Sequence, residues 1–340
     1  MDRQFPPEII QLIVEASLEP FDIFDWSLTK STRRYSTLKS YALLNSAWRG
    51  VSESSLYEIV VIRTENAALS FLEVAKNRGG LMEYARDLEI RWVDLDDSIA
   101  TRIFSVVPHT VNLFLAECWV DFGDLRHLQQ LYRLEMATVD ITGSTGASTF
   151  CIPSLKRLSL FDCPIPQSAD HFFTPSVFPK LRHLELYNTP ATVDSLIHQL
   201  EAVSFQSIDG HSFSGARSLQ LLLIPYSSDM SDTVLSQLPS LPPFISIDFE
   251  AVYWRDDFAG EVIDALEQLL ACPKEGLRVI FLRKMGIDAA AKALIKQLEG
   301  RAIRVVRAKR TLDINDALLA MERILTEEKQ AAEKEESNKK

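Results

Sequence analysis

Residues 155–165 read Leu155-Lys156-Arg157-Leu158-Ser159-Leu160-Phe161-Asp162-Cys163-Pro164-Ile165, and residues 181–191 read Leu181-Arg182-His183-Leu184-Glu185-Leu186-Tyr187-Asn188-Thr189-Pro190-Ala191. Both carry an L-x-x-L-x-L core. A small or polar residue stands three positions after the last leucine, and an apolar residue two beyond that. Leucines at alternate positions over so short a span predict a strand with one face in a core. One such strand with its turn cannot bury its own apolar face, so neighbouring copies must stack on it. Earlier copies stand at Leu88-Ile90-Val93-Leu95, Leu113-Leu115-Cys118-Val120 and Leu134-Met136-Val139-Ile141. Weaker ones follow from Leu219-Leu221, Ile245-Ile247, Val279-Phe281 and Ile303-Val305. The steps between copies run from 21 to 35 residues. Return helices fit between several of them, at 193–202, 231–238, 261–270 and 289–298. A further strand is expected at Ile59-Val60-Val61-Ile62, which is β-branched throughout, followed by a helix over 67–78 with Asn66 as its cap.

The pattern and most of the spacing resemble the leucine-rich-repeat family, L-x-x-L-x-L-x-x-N/C-x-L at 20–29 residues. That resemblance implies an irregular solenoid with a parallel sheet on its concave side and helices and loops outside. Residues between the inward leucines then form columns on the concave side. The first is Asp87, Asn112, Arg133, Arg157 and His183. The second is Glu89, Phe114, Glu135, Ser159 and Glu185, and the third Arg91, Ala116, Ala137, Phe161 and Tyr187. Exposed there, Phe114, Phe161 and Tyr187 are candidate anchors for a protein substrate, with Arg133, Arg157, His183 and Glu185 as polar companions. The plainer reading is that the charges pair across strands. Cys118 and Cys163 fall in the N/C slot, which marks them as small buried residues that turn the chain, not as a thiol nucleophile or metal ligands.

The first 57 residues read differently. Pro7 suits the first position of a helix, and the positions after it form two adjacent apolar stripes, Ile9-Ile13-Ala16 and Ile10-Val14-Leu18. A short helix apolar on two sides packs one and offers the other to a partner or a second core. Residues 19–36 look irregular. A second helix is expected over 37–49, with Leu38, Tyr41, Ala42, Leu44 and Trp48 inward, and a short third one over 53–57. The opening Phe5-Pro6-Pro7-Glu8-Ile9-Ile10 with Ile13, and the later Leu38-x-x-Tyr41-Ala42-Leu43-Leu44-Asn45-Ser46-Ala47-Trp48-Arg49, resemble the F-box of fungal proteins that combine it with leucine-rich repeats. The opening has Phe5 where leucine is usual, and about 18 extra residues separate the halves.

The resemblance implies a Skp-type adaptor and a cullin ubiquitin ligase as partners. Pro6, Pro7, Glu8, Ile9, Ile10, Ile13, Leu38, Leu43 and Trp48 would face or support the adaptor, and the repeats would hold an unknown protein substrate. The fold class expected is therefore α/β: an F-box-like helical domain over 1–57, a repeat solenoid over 58–311, a capping helix over 312–325 with Leu318, Met321 and Leu325 inward, and a disordered charged tail over 326–340. The alternative is a repeat scaffold without ligase assembly.

Composition narrows the classes further. The chain has 340 residues, a net charge of −11 and 46% hydrophobic residues, so it holds ample core material. The acidic balance argues against a nucleic-acid or anionic-membrane binder. The basic stripe Arg301, Arg304, Arg307, Lys309 and Arg310 is read as a solvated face. No apolar run approaches a membrane span. The N-terminus lacks the pattern of a secretory leader, no N-x-[ST] acceptor occurs, and the four cysteines form no C-x-x-C, so the expectation is cytoplasmic or nuclear. No cofactor, metal site or catalytic residue is expected. Ser212 in Gly210-His211-Ser212-Phe213-Ser214 only approximates a nucleophile elbow. Thr142-Gly143-Ser144-Thr145-Gly146 lacks the G-K-[ST] of a P-loop, and Asp94, Asp96 and Asp97 read as an acidic loop.

Overall fold

The computed structural model describes residues 5–18, 23, 28–91, 97–142, 151–164, 177–187, 221–225, 244–248, 263, 266–267, 269–270, 277–283, 289–308 and 314–339. It is mixed α/β. Two compact units divide the chain, one of residues 1–157, 161–168 and 176–179, the other of residues 158–160, 169–175 and 180–340. The first 57 residues and the strands that follow are thus compact together.

The first unit opens with three helices, α1 (Pro7–Ser17), α2 (Leu28–Ala42) and α3 (Ser46–Glu58). Pro7 starts α1, where its missing N–H costs nothing. The expected helix over 37–49 is in fact two helices broken at Leu43-Leu44-Asn45. Asn45 is the reason: its side chain accepts from the Ala47 and Trp48 amides at 2.9 and 3.1 Å and caps a new helix. The stretch read as irregular already holds α2 from Leu28 onward. Ile10, Val14 and Leu38 form the core of the trio, with Leu18, Tyr41, Ala47, Trp48, Val51 and Leu56 packed around them.

Helix α3 passes straight into strand β1 (Ile59–Ile62). Helix α4 (Glu65–Asn77) follows, capped by Thr64 and not by Asn66: the Thr64 hydroxyl accepts from the Ala67 amide at 3.1 Å. Strand β2 (Asp87–Arg91), helix α5 (Asp97–Val106), strands β3 (Asn112–Ala116), β4 (Trp119–Asp121), β5 (Arg133–Ala137) and β6 (Asp140–Thr142), and strand β7 (Arg157–Phe161) come next. The pairs β1–β2, β2–β3 and β3–β5 are parallel, with Leu88, Leu113 and Leu134 in one row and Ile90, Leu115 and Met136 in another. All six of those side chains are buried, as the alternation requires. A second, two-stranded parallel sheet pairs β4 with β6.

The units repeat in hydrogen bonds as well as in sequence. Arg86 O accepts from the Val111 and Asn112 amides, Val111 O from Tyr132 and Arg133, and Tyr132 O from Lys156 and Arg157. The residue after β3, β5 and β7 is left-handed, at φ 49° for Glu117, 53° for Thr138 and 51° for Asp162. That turn drops the next residue, Cys118, Val139 or Cys163, into the core. Three non-glycine residues held there are a shared strained device, each costing roughly 1–2 kcal/mol.

The second unit holds β8 (His183–Tyr187), β9 (Leu221–Pro225), β10 (Phe244–Asp248), β11 (Val279–Arg283), α6 (Ala289–Gly300), β12 (Arg304–Ala308) and α7 (Ile314–Lys339). Its pairs β8–β9, β9–β10, β10–β11 and β11–β12 are also parallel. The register departs from the repeats expected at Leu219, Val279 and Ile303. Leu184 lies opposite Leu222, Leu222 opposite Ile245, Ile245 opposite Ile280, and Ile280 opposite Val305. The runs Leu221-Leu222-Leu223-Ile224 and Val279-Ile280-Phe281-Leu282 are apolar throughout, so they carry no parity signal to set the phase.

Helix α7 corrects two expectations. The tail over 326–340 is not disordered as far as Lys339 but continues the helix. Its alanines, glutamates, glutamine and lysines are strong helix formers, and Arg323–Glu327 and Lys329–Glu333 pair one turn apart. The buried residues are Ala317, Leu318, Met321 and Ile324, while Leu325 points outward. They pack on Phe244 and Val279, with Val306 alongside. By the register these three share one face of the strands, the face that carries His183 and Glu185 in β8. Ile245 and Ile280, on the opposite face, are wholly buried too.

Candidate functional site

Two surfaces bear on function, and the first is helix α1. Its stripe of Ile10 and Val14 is buried in the helical core. The adjacent stripe is not: Ile9 is 41% exposed, Ile13 38%, and Leu12 between them 60%. Phe5, Leu43 and Leu44 are exposed as well. Of the predicted adaptor set, then, Pro6, Pro7, Glu8, Ile9, Ile13 and Leu43 are open to solvent. Ile10 and Leu38 are core residues. Trp48 is half-buried against Tyr41, with ring centroids 5.3 Å apart. Leu12 and Leu44 join the exposed apolar residues: Leu44 turns outward because Asn45 starts a new helix behind it, and Leu12 belongs to neither apolar stripe of α1.

Charged and polar contacts fix this module to the strands. The Tyr35 hydroxyl donates to Ile59 O at 2.7 Å, and burial pushes its phenol up to about 12. Arg78 grips both carboxylate oxygens of Glu53 at 3.1 and 2.6 Å, which holds that carboxyl below the usual range.

The second surface is the sheet face of the first unit that carries the three columns. It is covered. Phe114 is wholly buried, so it is no exposed anchor, and Arg133 and Glu135 are buried as well. The cover is Ile23, which lies in sequence between α1 and α2. It is 1% exposed and clusters with Ile59, Phe114, Ala116 and Ala137, against which Val61 and Phe161 also pack. A buried ionic lattice holds it there. Arg91 donates to the Ile23 carbonyl at 3.0 Å, lies with its guanidinium 4.3 Å from the Phe114 ring centre, and approaches Glu89 Oε1 at 2.9 Å. Arg63 donates to the same oxygen through Nε and Nη2 at 3.1 and 2.9 Å. Burial pulls the Arg91 guanidinium below its ordinary value, against the opposing pull of Glu89. Asn112 donates to Asp87 at 2.7 Å, and Arg133 to Glu135 at 3.2 Å. Asn112–Asp87 and Arg63–Glu89 run from one strand to the next, as the plainer reading of the columns expects, whereas Arg91–Glu89 and Arg133–Glu135 pair along a single strand.

Of the remaining candidates, Arg157 and Phe161 are half-buried, and Arg157 stands 5.5 Å from the Tyr132 ring centre. In the second unit His183 and Glu185 are buried, which corrects the expectation that they stand open on a concave face. The side chain of Tyr187 lies outside the described residues, as do Asp94, Asp96, the Gly143–Gly146 turn and Ser212. Cys163 hydrogen-bonds the Phe161 and Met136 carbonyls, and burial pushes its thiol up to about 11. A thiol so placed is a poor nucleophile at neutral pH. Among the described residues no helix is long and apolar enough to cross a membrane. No family model matches the chain, and no curated protein matches it.

Proposed function

We propose that the protein is the substrate-recognition subunit of a Skp–cullin–F-box type ubiquitin ligase, with an F-box-like helical module followed by an irregular leucine-rich-repeat solenoid. It performs no chemistry of its own. The module docks a Skp-type adaptor, the strand-bearing part holds a protein target, and the ligase partner transfers ubiquitin by proximity. The observation that carries the reading is the division of labour on α1. Ile10 and Val14 close the helical core while Ile9, Leu12 and Ile13 stay exposed beside them. An apolar stripe left open on an amphipathic helix is what a helical partner surface recognises. The recurring carbonyl contacts and left-handed turns after β3, β5 and β7 support the repeat reading.

The test is co-purification of the full chain with a Skp-type adaptor. Ile9→Asp together with Ile13→Asp should abolish capture and leave the circular dichroism spectrum unchanged. A folded wild-type chain that fails to bind any such adaptor would leave the alternative, a repeat scaffold without ligase assembly.

A further inference from the structure

The face of β10–β12 beneath α7 has the properties of a helix-binding groove with its ligand already seated. Helix α7 presents Ala317, Leu318, Met321 and Ile324 along one side, at i, i+1, i+4 and i+7, to Phe244, Val279 and Val306. One turn further on, two carboxylates meet two arginines at the rim: Glu327 accepts from Arg304 at 3.3 Å, and Glu328 pairs with Arg278. All four of these charged side chains are about half exposed. Helix α7 also differs from α6 in how it is attached. Helix α6 joins β11 to β12 and cannot leave without taking the strands along. Helix α7 follows β12 and, among the described residues, takes part in none of the sheet's pairings. It could lift away and leave every strand ladder intact.

We propose that this face is a recognition site for an acidic amphipathic helix of a recruited protein, and that α7 occupies it in cis until such a helix displaces it. The ligand is defined by what α7 itself supplies. It carries a small residue and three larger apolar residues at helical spacing, then a pair of carboxylates one turn beyond, set against Arg278 and Arg304. Tethering gives α7 an effective concentration in the millimolar range, so a free helix of the same micromolar affinity is excluded from the closed chain by a factor on the order of 1,000. The proposal rests on the substrate-recruiting reading above and specifies the class of target segment it takes.

The probe is a fluorescein-labelled peptide with the sequence of residues 312–331, titrated into full-length protein by anisotropy. Leu318→Asp with Met321→Asp in the chain should undock α7 and raise peptide affinity on the order of 1,000-fold over wild type. Adding Arg278→Glu and Arg304→Glu should then weaken it about tenfold and flatten its salt dependence. Hydrogen exchange on the wild type supplies a readout that needs no variant: α7 amides should exchange at least tenfold faster than those of β11. Equal exchange of α7 and β11 through global unfolding overturns the proposal, as does an undocked, folded variant that ignores the peptide. A dimer that exchanges α7 between copies overturns the assignment to a foreign helix. Adaptor capture measured on the same preparations separates the two ideas, since peptide binding without adaptor binding sinks only the ligase reading, and the converse sinks only this one.

Discussion

Replacing Ile23 by alanine tests the covered face most directly. The side chain is 1% exposed and clusters with four buried residues from three strands, Ile59, Phe114, Ala116 and Ala137. Truncating a buried isoleucine to alanine costs about 2–5 kcal/mol, depending on how far the site collapses. Two of the four residues it clusters with are alanines, so fewer side-chain contacts are lost and the lower part of the range, about 2–3 kcal/mol, is expected. Urea unfolding followed by tryptophan fluorescence should show the midpoint fall with little change in slope. Arg91→Met should cost about 3 kcal/mol, since it removes the donor to the Ile23 carbonyl and strands part of the Glu89 charge. Both substitutions act on one contact, so the double variant should lose less than the sum, with a coupling of about 0.5–3 kcal/mol. A loss below about 0.5 kcal/mol for Ile23→Ala, or strict additivity with Arg91→Met, would refute the docking of Ile23 on the sheet.

Other expectations follow from single residues. Thr138→Asn, at an exposed β-branched residue with φ 53°, should stabilise the protein by about 1 kcal/mol in the same urea assay. The depressed Glu53 carboxyl stabilises the fold above its unfolded value of about 4.3. That contribution is lost as pH falls through the lower folded value, so the melting difference between wild type and Glu53→Gln should be present at pH 7 and shrink steadily as the solution is acidified below the unfolded value. Arg78 is half exposed, so solvent screening keeps the difference small. Ile9→Asp should leave thermal stability within about 0.5 kcal/mol of wild type, whereas Ile10→Asp, one position away, should unfold the helical module, as seen by far-UV circular dichroism. Cys163 should resist alkylation at pH 8 until denaturant is added, read by mass spectrometry.

What the sequence disclosed and what it hid divide along a physical line. The inward rows Leu88-Leu113-Leu134 and Ile90-Leu115-Met136 were legible because alternation is a local property. So was the double stripe of α1. Alternation also says correctly that Glu89, Phe114 and Glu135 share the other face. It is silent on whether that face is covered, because the cover, Ile23, lies 68 residues before Arg91 and nothing near either position announces the contact. In the second unit the uniform apolar runs removed the parity signal and the register slipped. Those same runs carried an unused signal, since strands apolar on both sides are covered on both sides, and α7 supplies one of the covers. The tail was misread because charge density was weighed above helix propensity.

The direct passage from α3 into β1 has a mechanical corollary. One residue added at that joint and taken up by the helix would turn it by about 100° relative to the strand. Taken up by the strand, it would exchange the side occupied by Ile59 and Val61 with that of Val60 and Ile62. No side-chain substitution could repair either error. Length is therefore the rigid inheritance at this seam, much as a keyed shaft tolerates wear on its surface but not a tooth out of step.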